Sequence, residues 1–201
     1  MEFLDARLYL LFTPSLCRAD PAETLRRAIE GGVQLVQWRA AAPDPAGLAI
    51  CREICSEFEI PLIVDDDVRL AVDIGAEGAH VGQQDMPAAE ARKLLEDRWL
   101  GVSTHDLGQI ERAILDGADY LGFGPCFPTR TKGYARGLGP LAAARASAAS
   151  RIPVFAIGGI DRKNAAALAA EGVRRIAVSS AILCAEDPGE EAAALRALLD
   201  A

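Results

Sequence analysis

The densest cluster of reactive side chains is the stretch Gly122-Phe123-Gly124-Pro125-Cys126-Phe127-Pro128-Thr129-Arg130-Thr131-Lys132-Gly133. Two hydroxyls, a guanidinium and an ammonium follow a Gly-Pro turn at the end of an apolar run, and donors fanned out in this way suit phosphate or pyrophosphate. Asp65-Asp66-Asp67, with Asp85 further along, offers hard oxygen ligands for one Mg²⁺, which takes few carboxylates and keeps room for waters and phosphate oxygens. The competing role is capping of a helix through Leu70 to Ile74, which accounts for one of the three adjacent aspartates well and for three poorly. Gly158-Gly159 and Ser179-Ser180 offer backbone N–H groups to a second phosphate, although either pair alone reads as a tight turn. With Gln37 and Arg39 added, the inventory fits two phosphorylated groups beside a metal. That is the equipment for transfer between two substrates, one of which leaves as pyrophosphate.

These residues fall at the ends of apolar β-type runs. The runs are Leu8–Phe12, Val33–Trp38, Leu62–Val64, Ala79–Val81, Leu100–Ser103, Tyr120–Phe123, Val154–Ile157 and Arg175–Val178. Alanine-rich amphipathic stretches alternate with them, starting for example at Pro21, Pro45, Pro87 and Leu141, with prolines in or near the first turn. Glycines in Glu30-Gly31-Gly32-Val33, Asp116-Gly117-Ala118-Asp119 and Glu171-Gly172-Val173 stop helices before the next strand. Eight βα units in 201 residues predict a single-domain α/β chain, a (β/α)₈ TIM barrel over residues 1–201. An open doubly wound sheet is the alternative, but Phe12-Thr13-Pro14-Ser15 lacks the glycine-rich turn that fold would place after its first strand. In a barrel, groups at the carboxyl ends of the strands converge on one mouth.

The remaining candidates are weaker. His80 lies within a strand and reads as a packed core side chain, whereas His105, at a strand end, has the position of a general acid or base. Cys126 has no base beside it in sequence to activate it as a nucleophile, and Cys51 and Cys55 read as buried thiols. Trp38 and Phe127 either line a ring pocket or pack.

Composition narrows the classes. A net charge of −8 argues against a nucleic-acid binder, and the five cysteines, odd in number and scattered, argue against a disulfide framework. No apolar run reaches membrane-span length, and the acidic start Met1-Glu2-Phe3-Leu4-Asp5 lacks a signal-peptide plan, so the expectation is a cytoplasmic protein with small-molecule partners. Assembly into a homo-oligomer is left open.

Seven motifs in order resemble the thiamine phosphate synthase family over nearly the whole chain: Gln37-Trp38-Arg39, Asp65-Asp66-Asp67, Gly82-Gln83-Gln84-Asp85, Gly101-Val102-Ser103-Thr104-His105, Gly124 to Lys132, Ile157-Gly158-Gly159-Ile160 and Val178-Ser179-Ser180-Ala181-Ile182. The resemblance implies a Mg²⁺-dependent (β/α)₈ enzyme that joins hydroxymethylpyrimidine pyrophosphate to a thiazole phosphate, or its carboxylate, and releases pyrophosphate. It implies that Asp66 and Asp85 hold the metal and that Gln37, Arg39, Asp65, Ser103 and Lys132 contact the pyrimidine pyrophosphate. Thr129, Arg130, Thr131, Gly159, Ser179 and Ser180 would hold the thiazole phosphate. The implied mechanism is dissociative: pyrophosphate leaves a pyrimidinylmethyl cation that the thiazole nitrogen captures, with Arg39, Ser103 and Lys132 as the catalytic set.

Two positions depart from the family pattern. Ala41 stands where the pattern has lysine, which removes a cation, and Asp65 stands where it usually has asparagine, which adds a charge that repels pyrophosphate unless a metal or proton compensates. Two alternatives use the same barrel. One is a thiazole tautomerase with His105 as base and no metal, which leaves Asp66 and Asp85 unexplained. The other is a degraded barrel that only binds phosphorylated thiazole.

Overall fold

Alternation along each strand decides which side chains face the barrel axis and which face the helices. In the computed structural model, which describes residues 5–129 and 136–200, eight parallel strands close into a barrel in sequence order. They are β1 (Leu8–Phe12), β2 (Leu35–Trp38), β3 (Leu62–Asp65), β4 (Gly78–Val81), β5 (Trp99–Thr104), β6 (Tyr120–Phe123), β7 (Val154–Ile157) and β8 (Ile176–Val178). The predicted barrel is therefore the observed one, and β1 pairs with β8 to complete it. Several boundaries shift by one or two residues: β2 starts at Leu35 rather than Val33, β4 at Gly78 rather than Ala79 and β8 at Ile176 rather than Arg175, β3 runs on to Asp65, and β5 extends at both ends to Trp99–Thr104. Arg130, Thr131 and Lys132 of the predicted site lie outside the described residues.

Helices fill the outside: α1 (Pro21–Glu30), α2 (Pro45–Glu57), α3 (Val68–Asp73), α4 (Ala88–Leu95), α5 (Leu107–Leu115), α6 (Pro140–Ala149), α7 (Ala165–Ala170), α8 (Ser180–Leu183) and α9 (Pro188–Asp200). Their starts follow the capping signals. Asp20, Asp44, Asp67 and Asp106 each accept a backbone N–H of the first turn, and Pro21, Pro45 and Pro140 stand in the first turn, where no N–H partner is needed. The glycine stops behave as expected at Gly32, Gly117 and Gly172, which take φ of 108°, 90° and 83°.

The apolar core separates into two. Side chains such as Leu8, Leu10, Val64, Leu100 and Leu121 pack between the sheet and the helices, each contributing about 1.5–3 kcal/mol of burial. Inside the barrel a smaller cluster of Tyr9, Leu11, Leu35, Ile63, Tyr120, Phe155 and Ala177 fills the axis. Tyr9, Tyr120 and Phe155 meet edge to face, with centroids 5.3–5.9 Å apart. This plug closes the lower barrel and leaves polar groups at the carboxyl ends of the strands. Among the described residues, no helix is long and apolar enough to cross a membrane.

Candidate active site

A cavity of about 600 Å³ opens at the carboxyl ends of the strands. Its wall contains Arg39 after β2, Asp66 after β3, Gln83 and Asp85 after β4, Ser103 on β5, Thr129 after β6, Gly158 and Gly159 after β7, and Ser179 and Ser180 after β8. Of the predicted site residues, Arg39, Asp66, Asp85, Ser103, Thr129, Gly159, Ser179 and Ser180 are thus brought onto one surface. Gln37 and Asp65 are not in the wall. Gln37 is buried inside the barrel, where its amide nitrogen donates to the Tyr9 hydroxyl at 2.8 Å, and the Asp65 carboxylate pairs with the Arg39 guanidinium at 2.9 Å.

The three adjacent aspartates divide their work. Asp65 ends β3 and points inward to Arg39. Asp66 has a positive φ of 60°, costly for a residue with a Cβ, and its backbone N–H is held by the carbonyl of His80 at 2.8 Å. That turn sends its carboxylate to the cavity wall. Asp67 caps α3, accepting from the Leu70 N–H at 2.9 Å. Asp85 does not cap α4, whose N-cap is Pro87; it accepts the Gly82 N–H at 2.8 Å, which fixes its carboxylate at the rim. Among the described residues no group of three or more His, Cys, Asp or Glu side chains is placed to hold a metal. Two carboxylates in a phosphate-sized cavity still meet the needs of Mg²⁺, which takes its remaining ligands from water and phosphate oxygens.

The loop after β6 is built against the loop after β7, backbone on backbone. Cys126 donates its N–H to the Ile157 carbonyl at 2.8 Å and Phe127 to that of Gly158 at 3.0 Å. Gly158 and Gly159 have φ of 95° and 64°, and a Cβ on Gly158 would lie 2.6 Å from the Pro125 ring. Only glycine allows this approach, which brings Thr129 and the glycine pair to the same part of the cavity. Ser179 donates its hydroxyl to the Leu11 carbonyl at 2.8 Å, so β8 is tied to β1 at the mouth.

His105 lines the cavity, and its Nδ1 donates to the Gly124 carbonyl at 2.5 Å, which fixes the orientation of the ring. Cys126 is buried, and burial pushes its thiol up to about 11, which suits a packed side chain and not a nucleophile. Cys51 and Cys55 are buried as expected. Trp38 packs outside the barrel against Phe12 and Phe127 against the outer core; neither lines the cavity.

A polar centre lies inside the barrel. His80 is only 6% exposed, yet its Nε2 lies 2.9 Å from the Ser103 hydroxyl and its Nδ1 lies 3.2 Å from that of Tyr120. Tyr120 is in turn 3.0 Å from the Tyr9 hydroxyl. Burial drives both phenols well above their ordinary pKa, so they stay neutral. Gln83 adds a further support, its amide donating to the Ser103 carbonyl at 2.6 Å. The register Asp65↔His80↔Gly101↔Tyr120 runs across four strands at one inward-facing level. No local sequence pattern shows such a row.

Comparison with known proteins agrees with this geometry. Residues 8–182 match the family model described as thiamine monophosphate synthase. A thiamine-phosphate synthase of Chloroflexus aurantiacus is 42% identical over 206 residues, covering 98% of this chain and 94% of that protein. One from Bacillus cereus (strain AH187) is 38% identical over 193 residues, covering 91% and 88%. The structure of a thiamine phosphate pyrophosphorylase from Pyrococcus furiosus superposes with a TM-score of 0.87 at 32% identity, over 98% of this chain and 96% of that one. A 3-hexulose-6-phosphate synthase shares the fold alone, with a TM-score of 0.69 at 17% identity over 96% of this chain and 99% of that one. With the family model spanning nearly the whole barrel, the chain belongs to the thiamine monophosphate synthase family.

Proposed function

We propose that the cavity carries out the family's reaction, the condensation of hydroxymethylpyrimidine pyrophosphate with thiazole phosphate to give thiamine phosphate and pyrophosphate. The observation that carries the assignment is the division of one cavity wall. Arg39, Asp66, Asp85 and Ser103 come from the β2 to β5 ends, and Thr129, Gly159, Ser179 and Ser180 from the β6 to β8 ends. The first set suits a metal-bound pyrophosphate and the second a monophosphate held by hydroxyls and backbone N–H groups.

On the pyrophosphate side, Asp66 and Asp85 would hold Mg²⁺, which when bound neutralises charge on the departing pyrophosphate. Arg39 and Ser103 donate to its oxygens, joined by Lys132; Gln37 and Asp65 act on them from behind the wall. Arg130 and Thr131 extend the thiazole-phosphate set. In a dissociative reaction charge accumulates on the leaving group, so fixed donors aimed there lower the barrier more than a strong base would. The opposing phosphate subsite places the thiazole nitrogen against the pyrimidinylmethyl carbon, and holding both partners replaces an encounter with an oriented pair. The expected setting is the cytoplasm, with the barrel over residues 1–201 as one domain.

Two substitutions test the division. Ser103→Ala should raise KM for the pyrimidine pyrophosphate about tenfold and leave that for thiazole phosphate nearly unchanged, and Ser180→Ala should do the reverse. Equal effects of either variant on both substrates would contradict the two-subsite reading.

A further inference from the structure

Four hydrogen bonds, through the buried side chains of Tyr9, Tyr120 and His80, connect two of the predicted substrate contacts, Gln37 and Ser103, through the interior of the barrel. The Gln37 amide nitrogen lies 2.8 Å from the Tyr9 hydroxyl, which lies 3.0 Å from the Tyr120 hydroxyl. The Tyr120 hydroxyl lies 3.2 Å from His80 Nδ1, and His80 Nε2 lies 2.9 Å from Ser103 Oγ at the cavity wall. We propose that His80 is a positioning residue: as the last link of this chain it holds Ser103 with its hydroxyl proton directed into the cavity.

The argument follows the protons. An amide nitrogen only donates, so the Tyr9 oxygen accepts from Gln37, and in the sense proposed the Tyr9 proton passes on to Tyr120. Tyr120 then donates to His80 Nδ1, and the neutral imidazole carries its proton on Nε2. That N–H donates to Ser103 Oγ, which leaves the Ser103 hydroxyl as a donor toward the cavity. Each hydroxyl proton is used once and every bond has the same sense. In the opposite sense Ser103 would give its proton to His80 and turn only lone pairs toward a bound anion, which repel it. A phosphate oxygen, being an acceptor, selects the first sense.

The backbone is shaped for this chain. A Cβ on Gly101 would overlap the Tyr120 ring and His80 Nδ1, and one on Gly122 would meet His80 Cε1 at 3.4 Å. Glycine at position 101 leaves the space in which the tyrosine and the imidazole meet, and Gly122 borders the same imidazole. Leaving such a row of polar groups partly unsatisfied inside a barrel is costly, so the chain holds its members in one arrangement.

The inference rests on the reading of Ser103 as a pyrophosphate contact, and kinetics of paired variants separate the two. Asparagine at His80 has its amide near the Nδ1 position and loses Ser103; glutamine reaches the Nε2 position and keeps it. His80→Asn should raise KM for the pyrimidine pyrophosphate about tenfold, as Ser103→Ala does, with KM for thiazole phosphate little changed. Adding His80→Asn to Ser103→Ala should cost nothing more, and His80→Gln should recover to within about threefold of the parent. Additive losses in the double variant, or equal failure of Asn and Gln, would overturn the inference. A loss in Ser103→Ala without one in His80→Asn would overturn it while leaving the Ser103 reading intact. No loss in Ser103→Ala would remove both. Tyr120→Phe, which deletes one oxygen two links from the cavity, should show the same dependence on Ser103 and carries the test should His80→Asn not fold.

Discussion

The Arg39 guanidinium and the Asp65 carboxylate form an ion pair at 2.9 Å, with side chains 29% and 13% exposed. A carboxylate at this position is expected from sequence to repel pyrophosphate unless a metal or proton compensates. Arg39 balances that charge, so a guanidinium that lines the cavity is shared with a carboxylate outside its wall. Replacing Asp65 by asparagine removes the competing acceptor. Asp65→Asn should therefore lower KM for the pyrimidine pyrophosphate by about threefold to tenfold, the range of a partly screened charge interaction. Initial-rate kinetics give the answer, and an unchanged or higher KM would mean that the pair serves to orient Arg39.

Ala41 concerns the same charge balance. Ala41→Lys restores a cation in the loop after β2 and should also strengthen binding of the pyrimidine pyrophosphate, with an effect that shrinks as salt is raised. Isothermal titration at two ionic strengths measures it. Unchanged affinity would show that position 41 does not reach the ligand.

Gly159 combines a left-handed φ of 64° with a backbone neighbour, the Pro128 carbonyl, in the space a Cβ would take. Gly159→Ala should cost about 1–2 kcal/mol of stability and push the loop after β6 outward. The expected kinetic signature is a raised KM for thiazole phosphate at nearly constant KM for the pyrimidine. Thermal melts and the two KM values check both halves.

Alkaline pH should weaken the fold. Burial holds the Cys126 thiol up to about 11 against an ordinary 9.0, so the unfolded chain releases this proton first. Its stabilising contribution is complete below pH 9.0 and is lost as pH rises to about 11. Tyr9 and Tyr120, raised in the same direction by burial, extend the loss further. Cys126→Ala should lose less Tm than the parent across that interval; parallel curves would contradict the assignment to this thiol.

The barrel was legible because its signals are local. Apolar runs recur eight times, punctuated by first-turn prolines and glycine stops, and each signal is readable within a few residues. The cavity wall followed once those runs were placed in a barrel, since strand ends such as Asp66, Asp85, Ser103 and Ser180 share one mouth. Sequence could not divide Asp65, Asp66 and Asp67, because their three jobs depend on a strand end, a left-handed turn and a helix cap in successive residues. Nor could it assign His80. Its partners, Tyr120 and Ser103, are 40 and 23 residues away and meet it only through the register of β4, β5 and β6. The partner of Gln37 is hidden in the same way: Tyr9, to which its amide donates inside the barrel, lies 28 residues away on β1.

The most direct test of the account is formation of thiamine phosphate from the two purified substrates, followed as thiochrome fluorescence after oxidation, with Mg²⁺ and with chelator. The account predicts product that requires Mg²⁺, and a loss of at least about a hundredfold in Asp85→Ala that added Mg²⁺ only partly restores. Normal Mg²⁺-dependent turnover in Asp85→Ala would contradict the metal assignment, and folded parent protein that binds thiazole phosphate but makes no product would contradict the synthase reading itself.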